Sequence, residues 1–413
     1  MPEALTKPGV SFLRARRFGS SSGHRNLSVS QSVVQGAHRL WVRYRVRLHI
    51  LLLALGSYPS WAQAIKATRG MMRFKEEVYG GGDIKMVRCG RQYYFSIYAP
   101  GYPSAAFDDY IRSELHRFVP MARKANRLSF LFFAVTRRCP LQCEHCFEWE
   151  RLNGEETFTQ PELQAVVAHY QQEGVSQFHL SGGEPMVRFS DLEALIAGAD
   201  KKSEFWILTS GLNLTRENAR RLKSAGATGV VVSLDHFDAG AHNTFRGSRH
   251  AHQWVVDAVR HAREAGLVVA VTVCATRSFT TPENLLHYAE YVRSLGVAFI
   301  QVLEPKAVGR YQGRKVSLDW QQLQVLEDFY TTLNFDPRYK DYPVVLYHGY
   351  HQRRIGCLSA GSRNLYIDSE GFINACPFCQ SRSYHVREVL HRGEKGIVPP
   401  IMCCPDYGVD SLH

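Results

Sequence analysis

The sequence predicts an α/β fold, a partial (β/α)6 TIM-like barrel with a small N-terminal cap and a small cysteine-rich C-terminal extension. Three observations carry this. From Leu128 onward one unit repeats (apolar strand, loop, amphipathic helix, glycine stop, next strand), and six strands alternating with helices mean parallel βαβ units. The strands are near-continuously apolar, as in a sheet covered on both faces. Polar and metal-binding residues follow five of the six strands, which suits a barrel mouth better than the single crevice of a doubly wound sheet.

In chain order, residues 1–48 are Ser/Arg-rich, include Gly19-Ser-Ser-Ser-Gly23, lack hydrophobic periodicity and read as a disordered basic tail. They hold nine Lys/Arg against one acid, a surplus of +8 out of a net +12 for the 413 residues. The charge is therefore a property of the tail, and nucleic acid is not an expected partner. The basic segment, the apolar Ile50–Leu55 and the small-residue Trp61-Ala-Gln-Ala64 mimic a signal peptide. The basic part is far too long for one, and the apolar run is broken by Gly56, Ser57 and Pro59. We read an amphipathic helix there, no membrane partner, and a cytoplasmic protein.

Residues 49–127 form the cap. Asp83–Arg88 and Gln92–Tyr98 read as a hairpin around Cys89-Gly90-Arg91, and Phe107–Val119 has helical spacing. The barrel occupies 128–312, with strands at 128–135, Gln177–Leu180, Phe205–Leu208, Gly229–Leu234, Val268–Val273 and Ala298–Leu303. Thr159-Gln-Pro-Glu162, Thr280-Thr-Pro-Glu283 and Ser190-Asp-Leu-Glu193 read as capping boxes opening helices, and Gly174, Gly226, Gly266 and Gly296 as their stops. Residues 313–350 read as a helical linker, and 351–413 as the cysteine-rich extension.

The first strand ends in Thr136-Arg-Arg-Cys139-Pro-Leu-Gln-Cys143-Glu-His-Cys146, a C-x3-C-x2-C loop of closely spaced thiols. Thiolates are soft ligands, and three of them leave one iron of a cubane cluster without a protein ligand. The competing reading is a zinc site completed by a neighbour such as His145. The second strand is followed by Gly182-Gly-Glu-Pro185. Ser233 ends the fourth, and His242-x-x-x-Arg246-Gly247 lies beyond it.

Together these motifs resemble the radical S-adenosylmethionine (SAM) superfamily over about residues 128–312. The resemblance implies that Cys139, Cys143 and Cys146 hold a [4Fe–4S] cluster whose open iron is chelated by SAM. In the cofactor-binding loop Gly182–Pro185 (Gly182, Gly183, Glu184, Pro185), the glycines would let the backbone approach SAM, main-chain carbonyls and Glu184 would receive its ammonium, and Ser233 and Arg246 would meet its ribose and carboxylate. It further implies reductive cleavage of SAM to a 5′-deoxyadenosyl radical, with electrons from a flavodoxin or ferredoxin. His145 stands where the family usually carries a carbocyclic aromatic, and its imidazole can still lie against adenine.

Downstream, Cys357, Cys376-Pro-Phe-Cys379 and Cys403-Cys404 surround a hairpin, Asn364–Asn374, turning at Ser369-Glu-Gly371. This resembles the SPASM and twitch extensions of the same superfamily, with cysteines enough for one auxiliary Fe–S cluster. Cys357, Cys376 and Cys379 plus either Cys403 or Cys404 would be its ligands, with zinc the alternative metal. Such extensions imply modification of a peptide or protein side chain. The alternatives are a radical SAM reaction on a small molecule, as in cofactor biosynthesis, and a non-catalytic Fe–S or zinc scaffold. No acid–base catalytic residue is assigned. Glu304, Lys306, Arg310, His236 and Asp238 follow strands and stay without a role, and Cys274 is expected to be a buried apolar thiol.

Overall fold

The computed structural model describes residues 31–79, 85–121, 128–357, 361–397 and 399. The chain opens with a short strand β1 (Ser32–Val33), helices α1 (Gly36–Ser57) and α2 (Trp61–Tyr79), the hairpin β2 (Val87–Cys89) and β3 (Gln92–Tyr94), and helix α3 (Ala105–Phe118). The barrel follows as β4 (Phe130–Ala134), α4 (Gln160–Gln172), β5 (Gln177–Ser181), α5 (Phe189–Gly198), β6 (Glu204–Thr209) and α6 (Arg216–Ala225). It continues with β7 (Gly229–Ser233), α7 (Ala239–Arg246), α8 (Ala251–Glu264), β8 (Val268–Cys274), α9 (Pro282–Ser294) and β9 (Phe299–Leu303). The last part contains α10 (Trp320–Phe335), β10 (Val344–Tyr347), α11 (His348–Ile355), β11 (Asn364–Ile367), β12 (Phe372–Asn374), β13 (Tyr384–His385) and α12 (Val386–Arg392).

The main sheet runs β10-β9-β8-β7-β6-β5-β4-β11-β12-β13. Strands β4 to β9 pair in parallel with their chain neighbours, which is the partial barrel the sequence predicts. Val, Ile, Leu and Phe from strands and helices form one buried core. Helix ends follow local chemistry. Glu162 accepts the backbone N–H of Thr159 at 2.8 Å, and Thr281 caps Asn284 at 3.2 Å. The second expected cap thus moves one residue, from Thr280 to Thr281, and pairs with Asn284 and not Glu283. The third is displaced further. α5 begins at Phe189 after a 3-10 turn over 185–188, so Ser190 lies inside the helix.

Three further expectations change. The tail does not run to residue 48. α1 starts at Gly36, because Val42, Val46, Ile50 and Ala54 recur every four residues and bury one stripe against α2 and α3. The arginines interleaved with them hide that period from a composition reading. Residues 1–30 and 80–84 lie outside the described residues. The stretch 313–350 is more than a helical linker, since β10 adds a parallel strand to β9. The C-terminal extension, expected as a separate region over 351–413, joins the main sheet. β11 pairs in parallel with β4, Asn364 opposite Phe130, so the cysteine hairpin continues the barrel sheet.

The side of the barrel between these outer strands is covered by the cap, which sends Tyr98 inward to stack on His179 at 5.3 Å. Glu204, at the start of β6, is buried and accepts the N–H of Gly101 at 2.8 Å. Burial pushes its carboxyl up to about 7 against the hydrogen bonds from Gly101 and Gln177. A carboxyl raised on folding holds its proton where the unfolded chain releases it. Its contribution is therefore complete below the ordinary range near 4.5 and is lost as pH rises through about 7. Glu204→Gln is expected to gain stability over the wild-type chain between pH 5 and 8, by up to roughly 3 kcal/mol, in parallel melts at each pH. A gap that stays constant across that range would refute it. Among the described residues no helix is long and apolar enough to cross a membrane.

Candidate functional site

At the C-terminal ends of the strands a cavity of about 330 Å³ opens into the barrel. Both cysteine groups line it: Cys139, Cys143 and Cys146 from the loop after β4, and Cys357, Cys376 and Cys379 from the C-terminal segment. Gly183, Glu184, Ser233 and Arg246 line it too, while the sequence-selected Gly182 and Pro185 are not among its lining residues. Cys403 and Cys404 lie outside the described residues.

The cysteine loop is clamped from three sides. The loop after β5 packs backbone to backbone on it: Gly183 N–H reaches Thr136 O at 2.9 Å, and Glu184 N–H reaches Arg138 O at 2.8 Å. A Cβ on Gly182 would sit 2.4 Å from Thr136 O, and one on Gly183 2.2 Å from Arg138 O. Both glycines are thus required by the approach of this loop to the cysteines. From the second side, the end of α7 binds through Gln142 N–H to Arg246 O (3.2 Å) and Glu144 N–H to Phe245 O (2.9 Å). From the third, Arg310 N–H donates to Cys146 O at 3.0 Å, and its guanidinium to Gln142 O at 2.5 Å. Sequence reading missed this third clamp. Its available signal is Gly309, where a Cβ would meet Cys146 O at 2.4 Å. Asn153 adds a reciprocal pair with the backbone of Cys139, at 2.9 and 3.1 Å.

Glu184 plays another part than the one the resemblance implies. Its Oε1 accepts from Met186 N (3.1 Å) and Thr209 Oγ1 (2.7 Å), its Oε2 from Ser210 N (2.7 Å) and Ser210 Oγ (2.5 Å). All four lone-pair positions of the buried carboxylate are occupied, so its side chain ties the ends of β5 and β6 together and has no acceptor left for an ammonium. Burial raises its pKa, opposed by the bonds from Ser210 and Thr209. Glu184→Ala strands Thr209, Ser210 and Met186 donors in the interior. It is expected to cost on the order of 3 kcal/mol, read as a lowered urea midpoint, while Glu184→Gln costs less. An Ala variant with an unchanged midpoint would refute this.

Arg246 is buried and makes an ion pair through Nε with Asp235 Oδ2 at 2.6 Å, while its Nη1 lies 3.5 Å from Cys143 Sγ. Burial drives the Asp235 carboxyl up, but the neighbouring Arg246 guanidinium, foremost among the groups opposing it, holds it low. Asp235 also takes the N–H of Cys274 at 3.0 Å. His145 stacks on Phe245 at 4.8 Å, and burial depresses its pKa to about 4, so the ring is neutral. The other residues left without a role divide. Glu304 and Lys306 line the cavity, Glu304 bonded to Tyr347 and Arg353 at 2.6 Å each. Asp238 caps α7 through Ala241 N at 2.8 Å, and His236 accepts from Asp238 N at 2.9 Å. Cys274 lines the cavity as a buried thiol whose pKa burial raises.

Several features bear on what the thiols could hold. Burial, reinforced by the neighbouring Cys143, pushes Cys139 and Cys146 up to about 12, so they need cationic charge to ionise. Burial and the thiols of Cys379 and Cys357 do the same to Cys376, which packs with both. Among the described residues no three Cys, His, Asp or Glu side chains converge on one point as a mononuclear ion demands. Soft thiolates are the ligands that Fe–S clusters take, and three from one loop would leave one iron of a cubane cluster without a protein ligand. Two residues lining the cavity, His145 and Thr272, carry buried polar atoms (Nδ1 and Oγ1) without a protein partner. Polar groups left open beside such a cavity fit a polar ligand.

A second cavity of about 370 Å³ lies between α1, α2 and α3 and the barrel. Tyr98, Phe130, His348 and Gln352 line both cavities, so the two adjoin.

The model of the Radical SAM superfamily matches residues 133–295. GTP 3′,8-cyclase 2 of Pseudomonas aeruginosa is 31% identical over 182 residues, covering 42% of this chain and 54% of that protein. A PqqA peptide cyclase of Streptomyces rochei is 26% identical over 253 residues, covering 60% of this chain and 68% of that protein. Another, of Granulibacter bethesdensis, is 33% identical over 183 residues, with 43% and 48% covered. The chain thus spans about half the length of several curated relatives it matches. Among solved structures, SuiB of Streptococcus suis bound to its precursor peptide SuiA aligns with a TM-score of 0.51 at 15% identity, over 69% of each chain, a likeness of fold.

Proposed function

With residues 133–295 a radical SAM domain, we propose that this chain cleaves SAM reductively and uses the resulting radical on a peptide side chain. The family implies a [4Fe–4S] cluster and SAM, and when bound they supply one-electron cleavage of SAM to methionine and a 5′-deoxyadenosyl radical that takes hydrogen from a substrate. Cys139, Cys143 and Cys146 would hold the cluster. The chain's own contribution is positional. The three clamps fix the cysteine loop, Arg246 sets positive charge against Cys143, and neutral His145 offers Nδ1 as an acceptor or donor beside the cavity. Ser233, at the end of β7, and the main chain of Gly182 and Gly183 are the groups we assign to SAM, while Glu184 and Pro185 hold that loop in place. A flavodoxin or ferredoxin is the electron source we expect.

The observation that carries the peptide reading is the pair of adjoining cavities. The first, lined by cysteines of both groups, is where clusters and SAM would sit, and the second, about 370 Å³, offers room beyond it for a chain longer than one amino acid. Relatives named for a peptide, the PqqA peptide cyclases, support it. The relative named GTP 3′,8-cyclase 2 favours a nucleotide as the second reading. Short peptides encoded beside the gene, co-expressed with the chain, separate the two. A peptide mass shift lost in Cys143→Ala is expected. Consumption of GTP with every peptide unmodified would favour the nucleotide.

Cys357, Cys376 and Cys379 would hold a second cluster, completed by Cys403 or Cys404. Cys376→Ser is expected to remove roughly half of the iron and leave zinc unchanged, measured by metal analysis after anaerobic purification. Full iron retention, or one equivalent of zinc in the wild-type chain, would count against it.

A further inference from the structure

Helix α1 is apolar on two faces. Val42, Val46, Ile50 and Ala54 are buried against α2 and α3. On the opposite side Leu40, Trp41, Tyr44, Leu48, Leu52 and Leu55 recur at helical spacing and are between 42 and 66% exposed. A helix apolar all round is normally enclosed, and a contiguous exposed stripe of this kind marks a contact surface. Its charge points to the partner. α1 carries no acidic residue, and Arg45 lies over the Trp41 ring of the stripe at 4.7 Å, while Arg43 and Arg47 line the second cavity on the other side of the helix. The first 30 residues add five Lys/Arg against one Glu.

We infer that the outer face of α1 docks the protein onto an anionic lipid surface, the helix lying in the interface with Trp41 and the leucines inserted. Arginines beside an aromatic and leucine stripe are the composition of such interfacial helices, whose affinity sums apolar burial and attraction to anionic headgroups. A lipid-docking α1 departs from the sequence-based expectation of no membrane partner, which weighed a signal peptide and a bilayer-spanning segment. Which face of α1 stays open becomes visible once α2 and α3 are seen to cover the other.

Flotation of the full, anaerobically purified chain tests this, with vesicles of phosphatidylcholine alone or mixed with phosphatidylglycerol. Binding to the mixed vesicles is expected to exceed that to the neutral ones at least about tenfold and to fall in 0.5 M salt. The double variant Leu48→Glu/Leu52→Glu places charge only at exposed positions and should keep its circular dichroism while losing flotation. No flotation of the wild-type chain overturns the inference. Continued flotation of the double variant also does so, because it assigns binding to the basic residues before α1. A wild-type dimer in light scattering that the variant converts to monomer overturns it as well, and puts a second copy on this face.

Discussion

Gly183→Ala is expected to strip the Cys139–Cys146 loop of most of its iron, at least tenfold, while leaving the barrel folded. The added methyl would sit 2.2 Å from Arg138 O and 3.0 Å from Cys139 Cβ. The obstacle is backbone, so no rotamer change relieves it. The loops must part, and the 2.8 Å bond from Glu184 N to Arg138 O goes with them. Displacing ligands through their support typically costs 10–100-fold in metal affinity. Iron per chain and visible absorbance after anaerobic reconstitution measure it, with far-UV circular dichroism as the fold check. Gly56→Ala serves as control, since a Cβ there meets nothing within 4 Å. A Gly183→Ala protein with full iron would show that the two loops do not depend on each other.

Asp235→Ala is expected to destabilise the chain by roughly 3 kcal/mol or more, because it leaves a buried guanidinium without its counter-charge. Arg246 would lose the 2.6 Å partner at Nε, and Cys274 the acceptor for its N–H. The guanidinium is then expected to drift from Cys143, 3.5 Å away, so SAM cleavage should fall together with stability. Asp235→Asn keeps an acceptor and is expected to cost less in stability. Unfolding midpoints of the three proteins under anaerobic conditions give the ranking. An Ala variant as stable as wild type would mean that the buried pair contributes nothing to the fold.

The legible parts of this molecule are those with a local pattern. Six strands, their glycine stops and the cysteine triplet each rest on a short period or motif, and the structure places the strands within a residue or two of their expected bounds. Long-range pairing leaves no such trace. Nothing near Asn364 announces that it will lie beside Phe130, and four apolar residues at Val344–Tyr347 are too few to stand out within a helical stretch. The start of α1 is concealed by arginines alternating with its buried valines. In the site, sequence reading selected Glu184 as a ligand-binding carboxylate but not its partners, because the hydroxyls that bond it sit at the end of the next strand and just beyond it. The Gly309–Arg310 clamp comes from more than 160 residues away, and only contact reveals it.

The central claim, that the thiol-lined mouth of this barrel cleaves SAM, is tested most directly by one assay. Reconstituted protein is incubated without oxygen with dithionite and SAM, and 5′-deoxyadenosine is quantified by chromatography. The account predicts reductant-dependent release by the wild-type chain and loss of at least about two orders of magnitude in Cys143→Ala. Absence of 5′-deoxyadenosine from an iron-replete wild-type protein, or undiminished release by Cys143→Ala, would contradict it.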